Sequence, residues 1–312
     1  NMEGDQKSNR KSFQQVFTLI LLVLITIYVM NNQSKSLRPA KPQVKLTMFT
    51  TFSDKKYKYR TYCNTLHNWA LFLPQIQPIL FTYETDERLI NLAKTLGWLV
   101  VDVPRLSNTK VPFLKEMYFA AEKHSKSVFY SFFNGDLLFN DSLVDTVLTV
   151  EKYLDQLNRT LIVGRRTNVN LRERELWKKD DVTEAAQEGH LWITNAEDYF
   201  ILAGNQFVWD EFEDVIIGRP AYDNYIVALA LNHNLSVIDA SQTIFALHQT
   251  GKDGNQAGFN HSDVMFNLNL LSHFNRSRGH VTFAQYTTQR NSIGAIELWH
   301  RFQKRQIQPK KS

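Results

Sequence analysis

The sequence predicts a three-layer α/β domain with a mainly parallel sheet, preceded by an apolar N-terminal segment. Two observations support this. From Val44 onward, short β-rich runs alternate with longer runs of helical periodicity, which is typical of a sheet covered by helices on both faces. Before this alternation lies a charge-free apolar run, Val16–Met30, followed by a polar stretch that contains proline. The chain has 312 residues, 43% of them hydrophobic, which is enough for a sizeable core.

The N-terminal segment is typical of a retained signal anchor. Residues 13–30 approach the ~20 residues that cross a bilayer, and no small-residue cleavage site follows them. Basic residues precede the segment and favour a cytoplasmic tail over residues 1–12, although basic residues also occur in the predicted stem, 31–43. The alternative is a buried core helix, which the polar stretch after it disfavours. We therefore expect a single-pass type II protein of the Golgi or ER membrane with a lumenal domain. Four N-glycosylation sequons agree with this but add little, because such triplets often arise by chance: Asn158, Asn234, Asn260 and Asn275.

The first half of the predicted domain alternates regularly between strands and helices. Helical spacing is clearest in the first helix, where Tyr59, Cys63, Leu66 and Ala70 recur every three or four residues. Gly97 is a natural C-cap for the second helix. The strands are short apolar and β-branched runs. In chain order, the elements are strand Lys45–Thr51, helix Lys58–Leu73, strand Ile79–Tyr83, helix Glu87–Leu96, strand Trp98–Val103, helix Phe113–His124, strand Val128–Phe133, helix Ser142–Leu157 and strand Leu161–Val163.

The second half is less regular. Residues 171–189 are polar and charge-rich and predict a loop region that contains a helix. Pro220 precedes an apolar helix, and the segment after His248 is rich in Gly and Asn, which is typical of a mobile loop. We expect one domain over 44–250, with 251–312 as an extension packing on it or flanking it. The predicted elements here are strand Tyr199–Leu202, helix Tyr222–Leu231, and strands Val237–Asp239 and Ile244–Ala246.

Composition excludes several kinds of site. The single cysteine, Cys63, can form neither an internal disulfide nor a cysteine zinc cluster. Much of the formal net charge of +5 sits at the termini, where a basic tail is usually only solvated. Because no RNA-binding signature with interleaved aromatic residues occurs, no nucleic acid partner is expected.

The most informative site signal is Asn134-Gly135-Asp136, which directly follows the predicted strand Val128–Phe133. In an α/β sheet, ligands bind beyond the carboxyl ends of the strands, so Asp136 would lie at the binding edge. Gly135 would let a ligand approach the backbone closely. Ordinary turn chemistry between two strands explains the tripeptide alone at least as well.

Other polar residues are predicted at the same edge, each with a simpler alternative. Arg165 and Arg166 follow the fifth strand, where guanidinium groups suit phosphate recognition, but a solvated strand end is equally typical. Asp223 opens the helix Tyr222–Leu231, where the helix dipole would also stabilise a capping carboxylate. His248 follows a predicted strand and, taken alone, is more often an ordinary core or surface histidine.

Taken together, these pieces resemble a known family. The matching stretches run from about Leu46 to Gln249 and are LTMFTTF, VPRLSNTKVPFLKEMYFAA, YSFFNGDLLF, LIVGRR, NAEDYFIL, IIGRPAYDNY and VIDASQTIFALHQ. The last three are the more specific. The sequence is similar to the GT-A-fold glycosyltransferases, the nucleotide-diphospho-sugar transferases, whose domain is a Rossmann-like α/β/α sandwich. The resemblance implies the type of reaction better than the substrate.

The resemblance also implies roles for individual residues. Asp136 would be the single carboxylate for Mn²⁺ or Mg²⁺, because Asn134 stands where the family usually has a first acid, and His248 would complete the metal site. A metal-independent site remains an alternative. Asp223 would be the catalytic base if the enzyme inverts configuration, whereas in a retaining enzyme it would position substrate. Asp198 and Asn224 would bind substrate. The donor would be held by Thr50, Thr51, Asn134, Gly135, Arg165 and Arg166.

The leading hypothesis is therefore a membrane-anchored glycosyltransferase that moves a sugar from a nucleotide-diphosphate donor to a hydroxyl of a glycan or other acceptor. The change at Asn134 motivates a second hypothesis, a catalytically inactive GT-A-fold binding protein anchored in the membrane. A third and weaker one is a metal-dependent hydrolase of nucleotide diphosphates.

Overall fold

The computed structural model describes residues 43–170, 175–204, 206–251 and 257–309, together with Val23, Ile25, Thr26 and Tyr28. Those four residues are helical, and the rest of the predicted tail, anchor and stem lies outside the described residues. In the part of the chain that the structure describes, no helix has the length and apolarity to cross a membrane.

The folded unit begins at Val44 and is built around a ten-stranded sheet, within the described ranges. The strand order is β14-β13-β12-β10-β6-β9-β4-β1-β2-β3. The strands are β1 (Val44–Thr51), β2 (Ile76–Thr82), β3 (Leu99–Asp102), β4 (Ser127–Phe133), β5 (Leu137–Phe139), β6 (Thr160–Gly164), β7 (Thr167–Asn170), β8 (His190–Leu191), β9 (Tyr199–Ala203), β10 (Ser236–Asp239), β11 (Ala246–Thr250), β12 (Tyr286–Arg290), β13 (Ile296–His300) and β14 (Arg305–Gln306). The helices are α1 (Tyr59–Ala70), α2 (Glu87–Thr95), α3 (Leu114–His124), α4 (Ser142–Glu151), α5 (Lys179–Gln187), α6 (Tyr222–Asn232) and α7 (Met265–Leu270).

The predicted three-layer arrangement follows from the alternation of side chains along the strands. In β1, Phe49 is buried in a core shared with α3 and α6, whereas Leu46 and Met48 belong to a core shared with α1, α2 and α4. Because successive side chains of a strand point to opposite faces, the burial of both sets in β1 places helices on both sides of the sheet. The α/β fold class is thus as the sequence predicts.

The sheet is mixed: among the described strands, five of its nine pairings are parallel, a smaller majority than the sequence predicts. The parallel pairs are β3-β2, β2-β1, β1-β4, β6-β10 and β10-β12. Strand β9 lies between β4 and β6 and runs antiparallel to both. The sequence marks Tyr199–Leu202 as a strand, but an apolar run carries no information about its direction.

The segment after residue 250 contributes to the same sheet. Strand β12 pairs with β10 in parallel, with Ile238 opposite Tyr286, and β13 and β14 extend the sheet by antiparallel pairing. Arg301 Nη2 lies 2.6 Å from Asp239 Oδ2, which ties the C-terminal strands to the end of β10. The sheet therefore continues across the boundary expected at residue 250.

A second sheet has the order β5-β11-β7-β8. Strands β5, β7 and β8 are not among the predicted elements, and the last predicted strand of the domain, Ile244–Ala246, begins two residues too early. Strand β11 begins at Ala246, so His248 lies within a strand and does not follow one. Two predicted helices also end sooner: α1 ends at Ala70 and α4 at Glu151.

Candidate functional site

An open cleft of about 700 Å³ lies at the carboxyl ends of β1, β4 and β6. Strand β9 is antiparallel, so its first residues reach the same edge. This is where an α/β sheet places its ligands. Ten of the eleven predicted site residues line the cleft: Thr50, Thr51, Asn134, Gly135, Asp136, Arg166, Asp198, Asp223, Asn224 and His248.

Arg165 is not among the cleft-lining residues. Its Nη1 donates a hydrogen bond to the carbonyl oxygen of Trp192 at 2.9 Å, and its backbone N–H donates to Ser241 Oγ at 3.1 Å. Neighbouring residues on an extended chain point to opposite sides, so only one of the two arginines faces the cleft.

The second sheet brings three distant polar residues together. Its register places His248 opposite Leu137 in β5 and opposite Asn168 in β7. The backbone N–H of Gln249 donates to the carbonyl oxygen of Asp136 at 3.0 Å. Asp136, just before β5, and Arg166, just before β7, thereby flank the middle of β11.

Asp136 is the centre of a cluster of basic side chains. Its Oδ2 lies 3.4 Å from Lys58 Nζ and 3.6 Å from His248 Nε2. Burial acts to raise the pKa of Asp136, but His248, Lys58 and Arg166 outweigh it and hold the pKa well below its usual range. Asp136 is therefore a carboxylate across the working pH range, surrounded by positive charge.

A buried ion pair holds Arg166 in place. Its Nη1 lies 2.5 Å from Asp198 Oδ1, and its backbone N–H donates to Asp198 Oδ2 at 3.1 Å. Nε donates to Asn168 Oδ1 at 2.9 Å, and the guanidinium lies over the ring of Trp192. Burial raises the pKa of Asp198, and Arg166 and His248 oppose that effect. The pair fixes the direction of the guanidinium at the cleft wall.

The glycine of the Asn134-Gly135-Asp136 turn is required by its neighbours. A Cβ on Gly135 would lie 2.9 Å from two ring atoms of Phe52 and 3.2 Å from the carbonyl oxygen of Thr51. The carbonyl oxygen of Gly135 accepts a hydrogen bond from Thr65 Oγ1 at 2.9 Å. The Asn134-Gly135-Asp136 turn is thus part of the cleft wall. Its interpretation as an ordinary turn and its interpretation as part of a binding site are therefore compatible.

Asp223 lies in the first turn of α6 and is half-buried. Its Oδ1 accepts a hydrogen bond from the backbone N–H of Asn224 at 2.9 Å. Burial raises the pKa of Asp223 to about 6, the Asn224 N–H opposes this, and the charge of Asp198 adds to it. Ala221, the N-cap residue of α6 two positions before Asp223, has a left-handed φ of 83°, a strained conformation for a residue with a side chain. With a pKa of about 6, the Asp223 carboxyl can exchange a proton near neutral pH.

Glu197 also lines the cleft, although it has no predicted role within the motif that contains it. It is 3% exposed, and burial together with the charge of Asp223 raises its pKa well above the usual range. Its Oε1 accepts from the backbone N–H of Val281 at 2.9 Å, and its Oε2 accepts from Asn224 Nδ2 at 3.2 Å. No sequence signal shows this burial, because the cover comes from residues 279–281.

The side chain of Asn224 is fixed by hydrogen bonds to several residues, which fits a structural role better than the binding of a ligand. Nδ2 lies within hydrogen-bond distance of Asn195 O, Glu197 Oε2 and Gly279 O, at 3.1, 3.2 and 3.0 Å. A Cβ on Gly279 would come 2.2 Å from the Asn224 carbonyl oxygen, so only glycine allows this approach. Asn224 therefore joins the start of α6 to the C-terminal segment.

The cleft residues that the structure describes do not fit a dedicated divalent metal site. Among the described residues, no three His, Cys, Asp or Glu side chains are grouped as metal ligands. Asp136 and His248 supply two donor atoms, and Asp198 is engaged by Arg166. The Lys58 ammonium, 3.4 Å from the same Asp136 oxygen, would repel a cation bound there.

No family model matches the chain, and no curated protein matches it by sequence. Several solved structures resemble it distantly. Staphylococcus aureus TarS in complex with UDP-GlcNAc has 15% sequence identity and a TM-score of 0.42, over 75% of this chain and 74% of that chain. A mannosyltransferase from Pyrobaculum calidifontis, in complex with GDP-Man and Mn²⁺, has 11% identity and a TM-score of 0.38, over 74% and 66%. A cytidylyltransferase from Leptospira borgpetersenii has 12% identity and a TM-score of 0.39, over 65% and 77%. These chains include both glycosyl and nucleotidyl transferases.

Proposed function

We propose that the chain is a glycosyltransferase that uses a nucleotide-diphosphate sugar and a hydroxyl acceptor. The observation that carries the proposal is the pairing of two features in one cleft. A pair of cationic side chains, Lys58 and Arg166, suits a diphosphate, and Asp223 has a pKa of about 6, which suits a general base.

The chemistry follows from these positions. The acceptor oxygen attacks the anomeric carbon of the donor, while the bond from that carbon to the diphosphate oxygen breaks. The acceptor proton passes to Asp223, and the electron pair of the broken bond leaves with the diphosphate. Cationic groups held in fixed positions along the cleft stabilise the charge that develops on the leaving group. This scheme applies to transfer with inversion. In a retaining enzyme Asp223 would position the acceptor instead.

Donor binding is assigned to the wall formed by Thr50, Thr51, Asn134, Gly135 and Arg166, all of which line the cleft. Asp198 acts through Arg166, because its carboxylate is committed to the ion pair. The predicted Mn²⁺ or Mg²⁺ is not part of this scheme. The Lys58 ammonium lies beside its two candidate ligands, Asp136 and His248, and would repel a cation bound there.

A transfer assay tests the proposal. The full chain is incubated with a panel of nucleotide sugars and glycan acceptors, and release of nucleoside diphosphate and glycosylated product is measured. Acceptor-dependent product is expected, and Asp223→Asn should abolish it without weakening nucleotide binding. Nucleotide binding without turnover in any pairing would favour the inactive binding protein. Free sugar released independently of acceptor would favour a hydrolase.

The lumenal location in the ER or Golgi is also part of the proposal. Its support is the apolar segment 13–30 and the exposure of three sequon asparagines, Asn158, Asn234 and Asn275. When the full chain is expressed in animal cells, an N-glycosidase should lower its apparent mass, and carbonate extraction should leave it with the membranes. A chain of unchanged mass in the soluble fraction would contradict this placement.

A further inference from the structure

We infer that Lys58 takes the place of a divalent metal ion at the donor diphosphate, so that donor binding is metal-independent. The inference rests on the proposed function, because it assumes that a diphosphate occupies the cleft. The observation that carries it is the mismatch between the donor atoms and a metal: one carboxylate oxygen of Asp136, one imidazole nitrogen of His248, and an ammonium group beside them.

The position of Lys58 is well defined. Its side chain is 16% exposed, lines the cleft and lies 3.4 Å from Asp136 Oδ2. Asp136 therefore anchors the ammonium at the carboxyl end of β4, next to the backbone of the Asn134-Gly135 turn. A metal ion in the same place would supply positive charge to bridge the phosphates. Lys58 supplies a fixed positive charge there without needing ligands of its own.

The local sequence supports an anionic ligand at this point. Lys58 is the N-cap residue of α1, the first turn of this helix contains no acidic residue, and Lys55 also lines the cleft. Cations at a helix N-terminus are unfavourable, because the helix dipole is positive there. A run of basic residues that contradicts this local preference is expected at a functional site, where a bound anion compensates for it.

Arg166 completes the arrangement. Its guanidinium is fixed by Asp198 and contributes to the low pKa of Asp136, so it lies within electrostatic reach of the same cluster. The two cations, Lys58 just before α1 and Arg166 just before β7, can share the charge of a diphosphate between them. As the bond to the anomeric carbon breaks, the Lys58 ammonium stabilises the negative charge that the departing oxygen acquires.

Nucleotide binding with and without metal tests the inference. The full chain is titrated with UDP, GDP, CDP and ADP in excess EDTA, and again with Mn²⁺, by thermal shift and calorimetry. At least one nucleotide should bind equally well in both conditions. Lys58→Met should weaken its binding by about 10- to 100-fold, the loss expected for a charge-assisted hydrogen bond. Lys58→Arg should recover most of the affinity, which shows that the charge is responsible and not the packing.

Lys56→Ala is the matched control, because Lys56 belongs to the same basic run but is exposed and does not line the cleft. It should bind as the unchanged chain does. Binding that appears only with Mn²⁺, or undiminished binding by Lys58→Met in EDTA, would overturn the inference while leaving the proposed function standing. If no nucleoside diphosphate binds in either condition, both fail.

Discussion

Replacing Asp223 by asparagine should make the protein more stable and inactive at the same time. The pKa of this carboxyl is raised from 3.8 to about 6, mainly by burial, so ionising it in the folded protein costs free energy. A shift of this size corresponds to about 3 kcal/mol. Because the side chain is half-buried, we take about half of that, ~1.5 kcal/mol, to allow for solvent screening. Asparagine keeps the acceptor for the Asn224 N–H and carries no charge.

The size of the effect depends on pH, and its sign does not. The carboxyl is neutral in both folded and unfolded chains below about pH 3.8 and is charged in both above about pH 6, so its cost to stability develops between these values. At pH ~7.5 the free energy of unfolding of Asp223→Asn should exceed that of the unchanged chain by ~1.5 kcal/mol, or about 3–6 °C in Tm. Near pH ~4 the difference should shrink towards zero.

Calorimetry or thermal shift across this pH range measures the stability, and the transfer assay measures activity. Loss of a general base should reduce turnover by about 10²- to 10⁴-fold. Asp210→Asn, at an exposed carboxylate, is the control and should change neither quantity. A Tm at pH ~7.5 that is unchanged or lower would refute the argument from burial. Retained turnover would refute the assignment of Asp223 as the base.

Two further predictions concern the cleft walls. Arg166→Met should lower the free energy of unfolding by about 3–5 kcal/mol in urea titration, because it leaves the buried charge of Asp198 unpaired. The control is Lys126→Ala, which breaks an exposed ion pair and should lower the free energy of unfolding by less than ~1 kcal/mol. Equal losses in the two variants would contradict the difference in strength between the buried and the exposed pair. Gly135→Ala should push the ring of Phe52 away from the turn, with a loss of about 1–3 kcal/mol and weaker nucleotide binding; unchanged binding and stability would show that the turn relaxes at no cost.

The sequence predicts at which edge of the sheet the site forms. It predicts less well which strands pair there. Asn134-Gly135-Asp136 and Arg166 follow strands that are recognisable as apolar runs. Strands β5 and β7 are three and four residues long, and their partner β11 is far away in the chain. Such pairings depend on long-range contacts that local patterns do not contain. The neighbourhood of Asp136 and His248 therefore required the structure, or a family resemblance.

Burial explains the other gaps. Arg165 and Arg166 are indistinguishable in the sequence, and only the pairing of β7 decides which one faces the cleft. Glu197 reads as an ordinary surface acid, because its cover comes from Val281, some eighty residues later. Lys58 looks like one member of a basic run, and its role depends on its distance to Asp136.

The C-terminal strands have a practical consequence for any shortened form of the protein. A chain ending at residue 250 would leave β10 as an edge strand, with backbone N–H and C=O groups exposed along it. Val237 and Ile238 are buried on opposite faces of that strand, so the new edge would be apolar on both sides. Exposed apolar edges of this kind pair with one another and aggregate. Loss of activity on such a truncation would therefore reflect this self-association together with the loss of the contacts that Gly279 and Val281 make with Asn224 and Glu197.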